Sequence, residues 1–416
     1  MSNSYIKPRG TLDWYMNDIF QLKKLEDILL KTGELFGFDL IKTPVFEHTE
    51  LFTRSSGETS DIVNKEMYTF LDKGDRSLSL RPEGTAGVLR AVIENKLLLK
   101  TSYPLKTMYF EPCFRYERPQ KGRLRMFHQF GVEYLNVNSI YMDFEVLALA
   151  NSILSKLKIN DYVLEINYIS TKEKRTLWIK DLQTYFNGIK DQLSTLNQER
   201  INSNVLRILD DKDIETSLIS NAPNINDYLD ENEKTEFNTF LNLLDENGIK
   251  YKVNKNLVRG LDYYEGVVFE FISTSNLLIG QSTLIGGGRY NSLIKELGGP
   301  DAIGVGFGLG IERIIVLLKE KTEWNNLEKP FDYVIGALEP KFIEPALGLC
   351  LRLRNNGKRV NINLQSFKMS NIFKMADSYK AKYTIIFASK EFSENSVIIK
   401  DNLTKEQKIV NIDEIN

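Results

Sequence analysis

Arginines in separate parts of the sequence are the side chains best suited to hold a chain of phosphates. Arg115 opens a basic segment that runs to residue 125. Arg259 precedes a pair of tyrosines, and Arg313 follows a run of alternating glycines. The sequence contains no G-x-x-x-x-G-K-[ST] loop, so a nucleotide would be held by guanidinium groups rather than by a glycine turn and a lysine. This pattern predicts an ATP site built on arginines.

A hairpin predicted around the basic segment decides which side chains share a face. Side chains alternate along a strand, so Gln129, Gly131 and Glu133 point to one face of the returning strand, and the apolar residues between them point to the core. An amide and a carboxylate would then lie on either side of the room left by Gly131. The arrangement suits a small cationic or amine-bearing ligand, and a solvent-exposed polar face is the alternative.

Glycine occupies every second position from Gly304 to Gly310. These glycines would leave one side of a strand bare, so that a flat group such as a base can approach the backbone near Gly308 and Gly310. The spacing differs from the turn-forming G-x-G-x-x-G pattern, which excludes a Rossmann dinucleotide site. Arg313 falls in the first turn of the helix that follows, where it could stack on a base, clamp a phosphate or form a surface ion pair.

Two further segments are ambiguous when taken alone. Glu83 and Thr85 follow a predicted strand at residues 77–80 and lie at a helix start, where a carboxylate caps the helix as readily as it binds a ligand. The glycines at 286–288 precede Tyr290 and are consistent with a simple tight turn.

The elements that must position these residues can be outlined from periodicity. Apolar spacing predicts one amphipathic helix over residues 17–36 and another over 146–157, with an extended segment at 41–46 that contains Pro44 and suits an edge strand. Residues 171–250 read as an inserted helical module. After a polar linker, alternating strand and helix patterns predict a small α/β domain with a mostly parallel sheet. We therefore expect one domain at 1–325 and a second at 330–416.

Composition excludes several classes of protein. The chain has 416 residues, a net charge of −2, two cysteines and two histidines. Cys113 and Cys350 have no companions at metal-binding spacing, so neither a disulfide framework nor a zinc site is supported, and no metal site is expected. His48 and His128 are interpreted first as structural. The absence of a long apolar run or a secretory segment predicts a cytoplasmic protein that does not contact a membrane.

The motifs together resemble those of the class II aminoacyl-tRNA synthetases and, among these, the histidyl-tRNA synthetase family. The resemblance covers essentially the whole chain and rests on FRYER at 114–118, LVRGLDYY at 257–264, GGGRY at 286–290 and GFGLGIER at 306–313. It implies an α+β fold with an antiparallel sheet flanked by helices, a helical insertion and a C-terminal α/β anticodon-binding domain. It also implies a homodimer whose interface includes the first helix and the Pro44 segment.

The resemblance further implies roles for individual residues. Arg115 and Arg259 would be the catalytic pair that neutralises the α-phosphate of ATP, with Arg313, Gly308 and Gly310 completing the ATP site. Histidine would be bound by a larger set: Glu83, Thr85, Gln129, Glu133, Tyr263, Tyr264 and Tyr290. Arg118, Gln120 and Arg125 would meet the acceptor end of tRNA. The expected substrates are L-histidine, ATP and tRNA(His), with Mg²⁺ accompanying ATP and no Mg²⁺ ligand assigned.

Two alternatives share parts of this pattern. A non-catalytic regulatory subunit of ATP phosphoribosyltransferase resembles a synthetase, but generally lacks the basic loop and the anticodon domain, both of which the sequence contains. A synthetase for proline or threonine is disfavoured by Glu133 and by the LVRGLDYY element. Pyrophosphate exchange with individual amino acids distinguishes all three.

Overall fold

The computed structural model describes residues 5–56, 62–100, 103–209, 211, 213–258, 263–280 and 282–415. It divides into two compact units, Met1–Asn326 and Leu327–Asn416. Each unit has its own sheet and its own core. Within the described residues, no helix combines the length and the apolar character needed to cross a membrane.

The first unit is built on a large sheet, and the second on a smaller one. The described strands are β1 (Asp39–Leu40), β2 (Phe46–His48), β3 (Thr69–Leu71), β4 (Ser77–Leu80), β5 (Leu105–Phe114), β6 (Met126–Leu135), β7 (Tyr162–Ile169), β8 (Lys252–Val253), β9 (Gly266–Ser273), β10 (Thr283–Tyr290), β11 (Gly304–Gly310), β12 (Tyr333–Ala337), β13 (Val360–Asn363), β14 (Tyr383–Phe387), β15 (Ser396–Asp401) and β16 (Gln407–Asn411).

Helices pack around both sheets. Those described are α1 (Met16–Leu35), α2 (Thr49–Ser56), α3 (Thr85–Glu94), α4 (Leu97–Lys100), α5 (Ile140–Lys156), α6 (Lys172–Gly188), α7 (Thr195–Ser203), α8 (Leu206–Leu209), α9 (Thr216–Ser220), α10 (Glu231–Glu246), α11 (Leu293–Glu296), α12 (Ile311–Leu318), α13 (Ile343–Asn355), α14 (Met369–Ser378) and α15 (Ser389–Phe392).

The large sheet has the order β1-β5-β6-β11-β10-β9-β7-β8. Its six central strands pair antiparallel, and only the two-residue strands at its edges, β1 and β8, pair parallel to their neighbours. A separate antiparallel sheet has the order β2-β4-β3. The α+β fold class expected from the sequence, an antiparallel sheet flanked by helices, is confirmed.

The expected extended segment at residues 41–46 is only partly a strand. Residues 41–45, including Pro44, lie between β1 and β2, and β2 begins at Phe46. Proline has no amide hydrogen for a ladder, and here the ladder stops before it.

The described residues between 172 and 250 form helices α6 to α10 and short helical turns. The apolar side chains Trp178, Leu182 and Phe186 of this insertion belong to the same buried cluster as Tyr263, which precedes β9, and Tyr290 of β10. The insertion therefore supports the sheet through a shared apolar interior.

The second unit has a five-stranded sheet of order β13-β12-β14-β15-β16. Strand β12 pairs parallel with β13 and β14, whereas β15 pairs antiparallel with both β14 and β16. The sheet is thus mixed rather than mostly parallel. Strand β16 was missed from the sequence because its residues are largely exposed and carry little apolar signal.

Candidate active site

Residues from several strands and loops of the first unit converge on one cavity of about 290 Å³. Most of the residues proposed from the sequence for ATP and histidine line it: Glu83, Thr85, Arg115, Gln129, Glu133, Tyr263, Tyr264, Tyr290, Gly308, Gly310 and Arg313. The first and last of these residues are more than 200 positions apart in the sequence, and the order of the strands places them together.

Glu133 lies at the buried end of this cavity with 1% of its surface exposed. Its Oε2 accepts a hydrogen bond of 2.6 Å from the hydroxyl of Tyr290. Its Oε1 has no hydrogen-bond partner among the described residues. Burial raises the pKa of Glu133 to about 8, although the hydroxyl groups of Tyr290 and Thr85 act in the opposite direction. A buried acceptor of this kind is costly unless a ligand supplies a donor.

The raised pKa of Glu133 predicts a pH dependence of stability. The unfolded carboxyl group titrates near about 4.3, and the folded one near about 8. The folded state therefore binds the proton more tightly, so its stabilisation is complete below the unfolded pKa and is lost as the pH rises through the folded pKa. Glu133→Gln removes the titrating group and therefore this loss of stability at high pH. In thermal unfolding of the ligand-free protein, the variant should gain stability relative to the parent between pH 5 and 9. A difference that stays constant with pH would contradict the prediction.

The room that Gly131 was expected to leave between Gln129 and Glu133 is filled by the ring of Tyr109. A Cβ atom on Gly131 would lie 2.2 Å from the Tyr109 Cζ and hydroxyl atoms. Gln129 and Glu133 do line the same cavity, as strand alternation requires. Tyr109 was not identified from the sequence, because a tyrosine in the middle of a buried strand is indistinguishable from a core residue.

Tyr109 also helps to fix Gln129. The Gln129 Oε1 accepts hydrogen bonds from the Gly84 amide at 3.1 Å and from the Tyr109 hydroxyl at 3.3 Å. These contacts leave the Gln129 Nε2 beside Gly308, where a Cβ atom on the glycine would lie 2.5 Å from it. The amide is therefore held in a defined orientation on the cavity wall.

The glycine face of β11 is not as bare as the sequence suggested. Side chains of neighbouring strands lie across it, since a Cβ on Gly304 would be 2.2 Å from the ring of Tyr290, and one on Gly306 would be 2.2 Å from Glu133. Only Gly310 has ordinary spacing, with Arg313 at 3.8 Å. A flat ligand can therefore approach the strand at its Gly310 end, next to the Gln129 amide that covers Gly308, but not along its whole length.

The glycines at 286–288 form no turn and lie within β10. A Cβ on Gly287 would be 2.2 Å from the carbonyl oxygen of Gly306, and one on Gly288 would be 2.6 Å from that of Val267. These glycines therefore allow close approach of three adjacent backbones. They place Tyr290, at the end of the strand, against Glu133.

Glu83 combines the two interpretations that its sequence position left open. Its carboxylate oxygens accept hydrogen bonds from the amides of Thr85 at 2.7 Å and Ala86 at 2.9 Å, at the start of α3. It also lines the cavity, although it is only 3% exposed. Burial raises its pKa, while these amides and Arg115 oppose the shift. A carboxylate has further lone pairs, so capping does not exhaust its capacity to accept.

Arginines line the opposite end of the cavity. Arg115 donates from Nε to the carbonyl of Pro82 at 2.9 Å, and its guanidinium lies 5.3 Å from the ring centre of Phe127. Arg313 donates to the carbonyls of Gly122 at 3.1 Å and Thr283 at 2.5 Å. These contacts orient both side chains on the wall.

Arg123 also lines this end of the cavity and was not assigned to the ATP site from the sequence. Burial, followed by the positive charges of Arg115 and Arg123, lowers the pKa of Arg313 to about 10. Like charges this close repel one another unless an anion lies between them. The basic character of residues 115–125 was visible in the sequence, but it did not show which of the arginines turns inward.

Two carboxylates lie beside these arginines. Glu117 forms an ion pair with Arg123. Glu312, at the start of α12, accepts hydrogen bonds from the backbone amide of His128 at 2.9 and 3.0 Å and contacts its Nδ1 at 2.9 Å. His128 thus has a structural contact, linking β6 to the helix that carries Arg313.

The remaining residues proposed from the sequence lie elsewhere. Arg118 and Gln120 are exposed on the hairpin loop and do not line the cavity. Arg125 is half-buried, with its guanidinium 4.1 Å from the ring centre of Tyr116. Arg259, the proposed second catalytic arginine, lies outside the described residues.

Comparison with known proteins identifies the family. The sequence model described as histidyl-tRNA synthetase matches residues 10–174 and 186–314, and the anticodon binding domain model matches residues 318–416. A histidine–tRNA ligase of Ureaplasma urealyticum serovar 10 is 56% identical over 419 residues, which cover 100% of this chain and 99% of the relative. A histidine–tRNA ligase of Malacoplasma penetrans is 43% identical and covers 99% and 96% of the two chains.

Solved structures give the same result. The apo histidyl-tRNA synthetase of S. aureus matches with a TM-score of 0.82 and 34% identity, covering 99% of this chain and 98% of that one. A Bacillus halodurans C structure described as an ATP phosphoribosyltransferase regulatory subunit/histidyl-tRNA synthetase matches with a TM-score of 0.65 and 23% identity, covering 92% and 99%, which shows a shared fold. With the family model matching most of its length, the chain belongs to the histidyl-tRNA synthetase family.

Proposed function

We propose that the cavity activates L-histidine with ATP, giving histidyl-adenylate and pyrophosphate, and that the chain then transfers histidine to the 3′-terminal ribose of tRNA(His). The observation that carries this assignment is one cavity with a buried acid and tyrosines at one end and clustered arginines at the other. An acid beside hydroxyl groups suits an imidazole, and arginines suit a triphosphate. The cavity thus offers a place for each reactant, with their reacting groups between the two ends.

Glu133 and Tyr264 bind the imidazole ring, and Tyr263 and Tyr290 shape the space around it. The unpartnered Oε1 of Glu133 supports this role because it needs a donor, which an imidazole N–H supplies. An apolar amino acid of similar size would leave that oxygen unpaired. Selection through buried polar groups discriminates strongly, by about 10⁴–10⁵ in favourable cases, so a separate editing step is unnecessary.

Glu83, Thr85 and Gln129 bind the α-amino group of histidine. They lie next to one another at the start of α3 and on β6, between the acid and the arginines. The buried negative charge available at Glu83 suits an ammonium group. With the ammonium and the imidazole both held, the carboxylate of histidine points toward the arginines.

Catalysis then requires no enzyme nucleophile. The histidine carboxylate attacks the α-phosphorus of ATP and displaces pyrophosphate, and a ribose hydroxyl of tRNA later attacks the adenylate carbonyl. Arg115 and Arg259 neutralise the charge that develops on the α-phosphate, and Arg313 binds the far end of the triphosphate. Positioning and charge stabilisation are the main effects available to such a site. Adenine lies against Gly308 and Gly310.

Mg²⁺ accompanying the β- and γ-phosphates fits the carboxylates on the wall. Mg²⁺ keeps several waters and usually binds one or two protein carboxylates together with substrate phosphates. Glu312 and Glu117 offer carboxylates beside the arginines, and the described residues contain no cluster of three or more His, Cys, Asp or Glu that could hold a metal alone. The ion would supply charge neutralisation on the leaving pyrophosphate.

Pyrophosphate exchange tests the assignment. The purified protein should exchange labelled pyrophosphate into ATP when histidine is added, and not with proline or threonine. Exchange with another amino acid would defeat the histidine specificity. No exchange with any amino acid would favour a regulatory subunit, to which the fold also corresponds.

The hairpin loop contacts the acceptor end of tRNA through the exposed Arg118 and Gln120 and the half-buried Arg125, and the second unit binds the anticodon. We expect Arg118→Ala to lower histidine transfer to tRNA about tenfold, because each lost phosphate contact weakens binding, while histidine-dependent exchange stays near the parent value. Arg54→Ala, which removes an exposed arginine paired with Glu50, is the matched control and should affect neither step. An equal loss of transfer and exchange in Arg118→Ala would exclude the loop as a tRNA contact.

The chain acts as a cytoplasmic homodimer that includes α1 and the Pro44 segment in its interface. Support comes from large apolar side chains exposed nearby, namely Phe46 at 50% and Phe70 at 43%, whose ring centres are 6.3 Å apart. Exposed aromatic pairs of this kind are common where another subunit covers a surface. Sedimentation equilibrium of the full chain tests the dimer directly.

A further inference from the structure

Asparagine side chains connect the helical insertion to residues 255–257. These residues precede in sequence the tyrosine wall of the cavity, which is formed by Tyr263, Tyr264 and Tyr290. Asn167 lies in β7 and is 0% exposed. Its Nδ2 donates to the carbonyl oxygens of Lys255 at 3.1 Å and Leu257 at 3.0 Å. Its Oδ1 accepts from the Nδ2 of Asn226 at 3.3 Å. Both ends of a fully buried amide are therefore paired, each with a different part of the chain.

The Asn226 end of this contact belongs to the helical insertion. Asn226 lies in the short helical turn Ile225–Tyr228. The side chain of Asn224 accepts from the Asn226 amide at 2.9 Å and donates to the same Lys255 carbonyl at 3.2 Å. The indole of Trp178 in α6 donates to the carbonyl of Pro223 at 2.7 Å. The turn is thus attached to the insertion on one side and to residues 255–257 on the other.

The Leu257 end of the contact leads to the cavity. Leu257 and Val258 are buried in the same apolar cluster as Tyr263, Tyr264 and Tyr290. The amide contacts of Asn167 therefore hold residues 255–257 beside the buried cluster that contains these tyrosines. Arg259, proposed above to hold the α-phosphate, follows Val258 directly in the sequence.

Energetics favour treating these amides as one unit. A buried polar group without a partner costs more than a made hydrogen bond contributes, and removing Asn167 would take partners from the Leu257 carbonyl and the Asn226 side-chain amide and leave the Lys255 carbonyl with Asn224 alone. Networks of buried polar groups also behave non-additively. On the same face of β7 the next residue, Ile169, is apolar and buried, so an asparagine at this position serves the contact rather than the packing of the strand.

We propose that Asn167 and Asn226 are positioning residues that couple the docking of the helical insertion to adenylation, by fixing residues 255–258, which share a buried cluster with the tyrosine wall. The inference rests on the proposed function of the cavity. It assigns the insertion a role in the first reaction step, which involves no tRNA. The ATP end of the cavity, on the hairpin and α12, lies on other elements and is left in place.

The test is histidine-dependent pyrophosphate exchange by the full-length protein. Asn226 is only half-buried, so Asn226→Asp, which keeps the shape and removes the donor, should fold. We expect kcat for exchange to fall about tenfold, equivalent to about 1.4 kcal/mol of barrier, with KM for ATP nearly unchanged. Asn226→Ala should give the same result, and the Asn167→Ala/Asn226→Ala double variant should be no slower than Asn167→Ala alone.

Asn197→Ala is the matched control. Asn197 is also a buried asparagine of the insertion, but its Nδ2 pairs with Asp211 at 2.8 Å within the insertion itself. It should lower the melting temperature without lowering kcat. A kcat unchanged in Asn226→Asp, or a loss in Asn197→Ala of the same size at equal melting temperature, would overturn the inference. Parent protein without any histidine-dependent exchange would instead refute the proposed function on which it rests.

Discussion

Arg115→Ala should lower the rate of histidine-dependent pyrophosphate exchange by about 10²–10³-fold, the usual effect of removing one fixed donor from a developing anion. Arg115 is held on the cavity wall by its hydrogen bond to Pro82 and by the ring of Phe127. Its charge is therefore in place before ATP binds and needs no reorganisation during the reaction. The loss should appear in kcat at saturating histidine and ATP, because the interaction strengthens as negative charge builds on the α-phosphate.

Folding should change little in this variant, since one hydrogen bond to a backbone carbonyl contributes about 1 kcal/mol. Arg90→Ala provides the matched control. Arg90 lies on α3, pairs with Glu47 and Glu94, and is absent from the cavity lining. It should keep the parental exchange rate. If Arg115→Ala and Arg90→Ala lose activity equally, or if Arg115→Ala is unfolded at room temperature, then Arg115 does not have the proposed role.

Glu133→Gln should raise KM for histidine by about 10²-fold or more, because the substitution offers an N–H where the imidazole needs an acceptor, and such mismatches leave buried groups unpaired. The contact with Tyr290 can survive, since the glutamine oxygen can accept from the same hydroxyl. KM for ATP should stay near its parental value. Isothermal titration with histidine alone gives the same comparison without the reaction.

Glu270→Gln is a suitable control for that experiment. Glu270 lies on β9 of the same sheet, accepts a hydrogen bond from Thr283, and does not line the cavity. The same chemical change there should leave histidine binding intact. Unchanged histidine affinity in Glu133→Gln would show that the imidazole does not bind at this carboxyl group.

Much of the framework follows from local pattern in the sequence. The returning strand of the β5–β6 hairpin could be anticipated because apolar or aromatic residues alternate with Gln129, Gly131 and Glu133 over residues 128–134, and α1 because its apolar spacing ends at Gly37, whose φ of +78° suits the end of a helix. In the second unit, the apolar runs of β12 and β14 predict buried strands. These elements depend on residues that are close together in the sequence, so a local sequence pattern is enough to predict them.

The parts that sequence reasoning missed depend on contacts between distant segments. The sequence alone indicates a core residue at Tyr109, because it does not show that Gly131 of the next strand lies beneath the ring. The glycines at 286–288 read as a turn until the backbone of Gly306 is brought against them. Arg123 and Arg118 are equivalent in the sequence, and only the fold of the loop turns one inward. The order of strands in the sheet, which no local pattern encodes, decides each of these cases.

Glycines of the sheet leave room for three of the side chains that line the cavity. Tyr290 rests over Gly304, Glu133 over Gly306 and Tyr109 over Gly131. A single added methyl group at one of these positions would dislodge one specific group while leaving its chemistry intact. Redesigning this site for a different amino acid therefore means substituting the glycines beneath the lining side chains, as well as exchanging the side chains themselves.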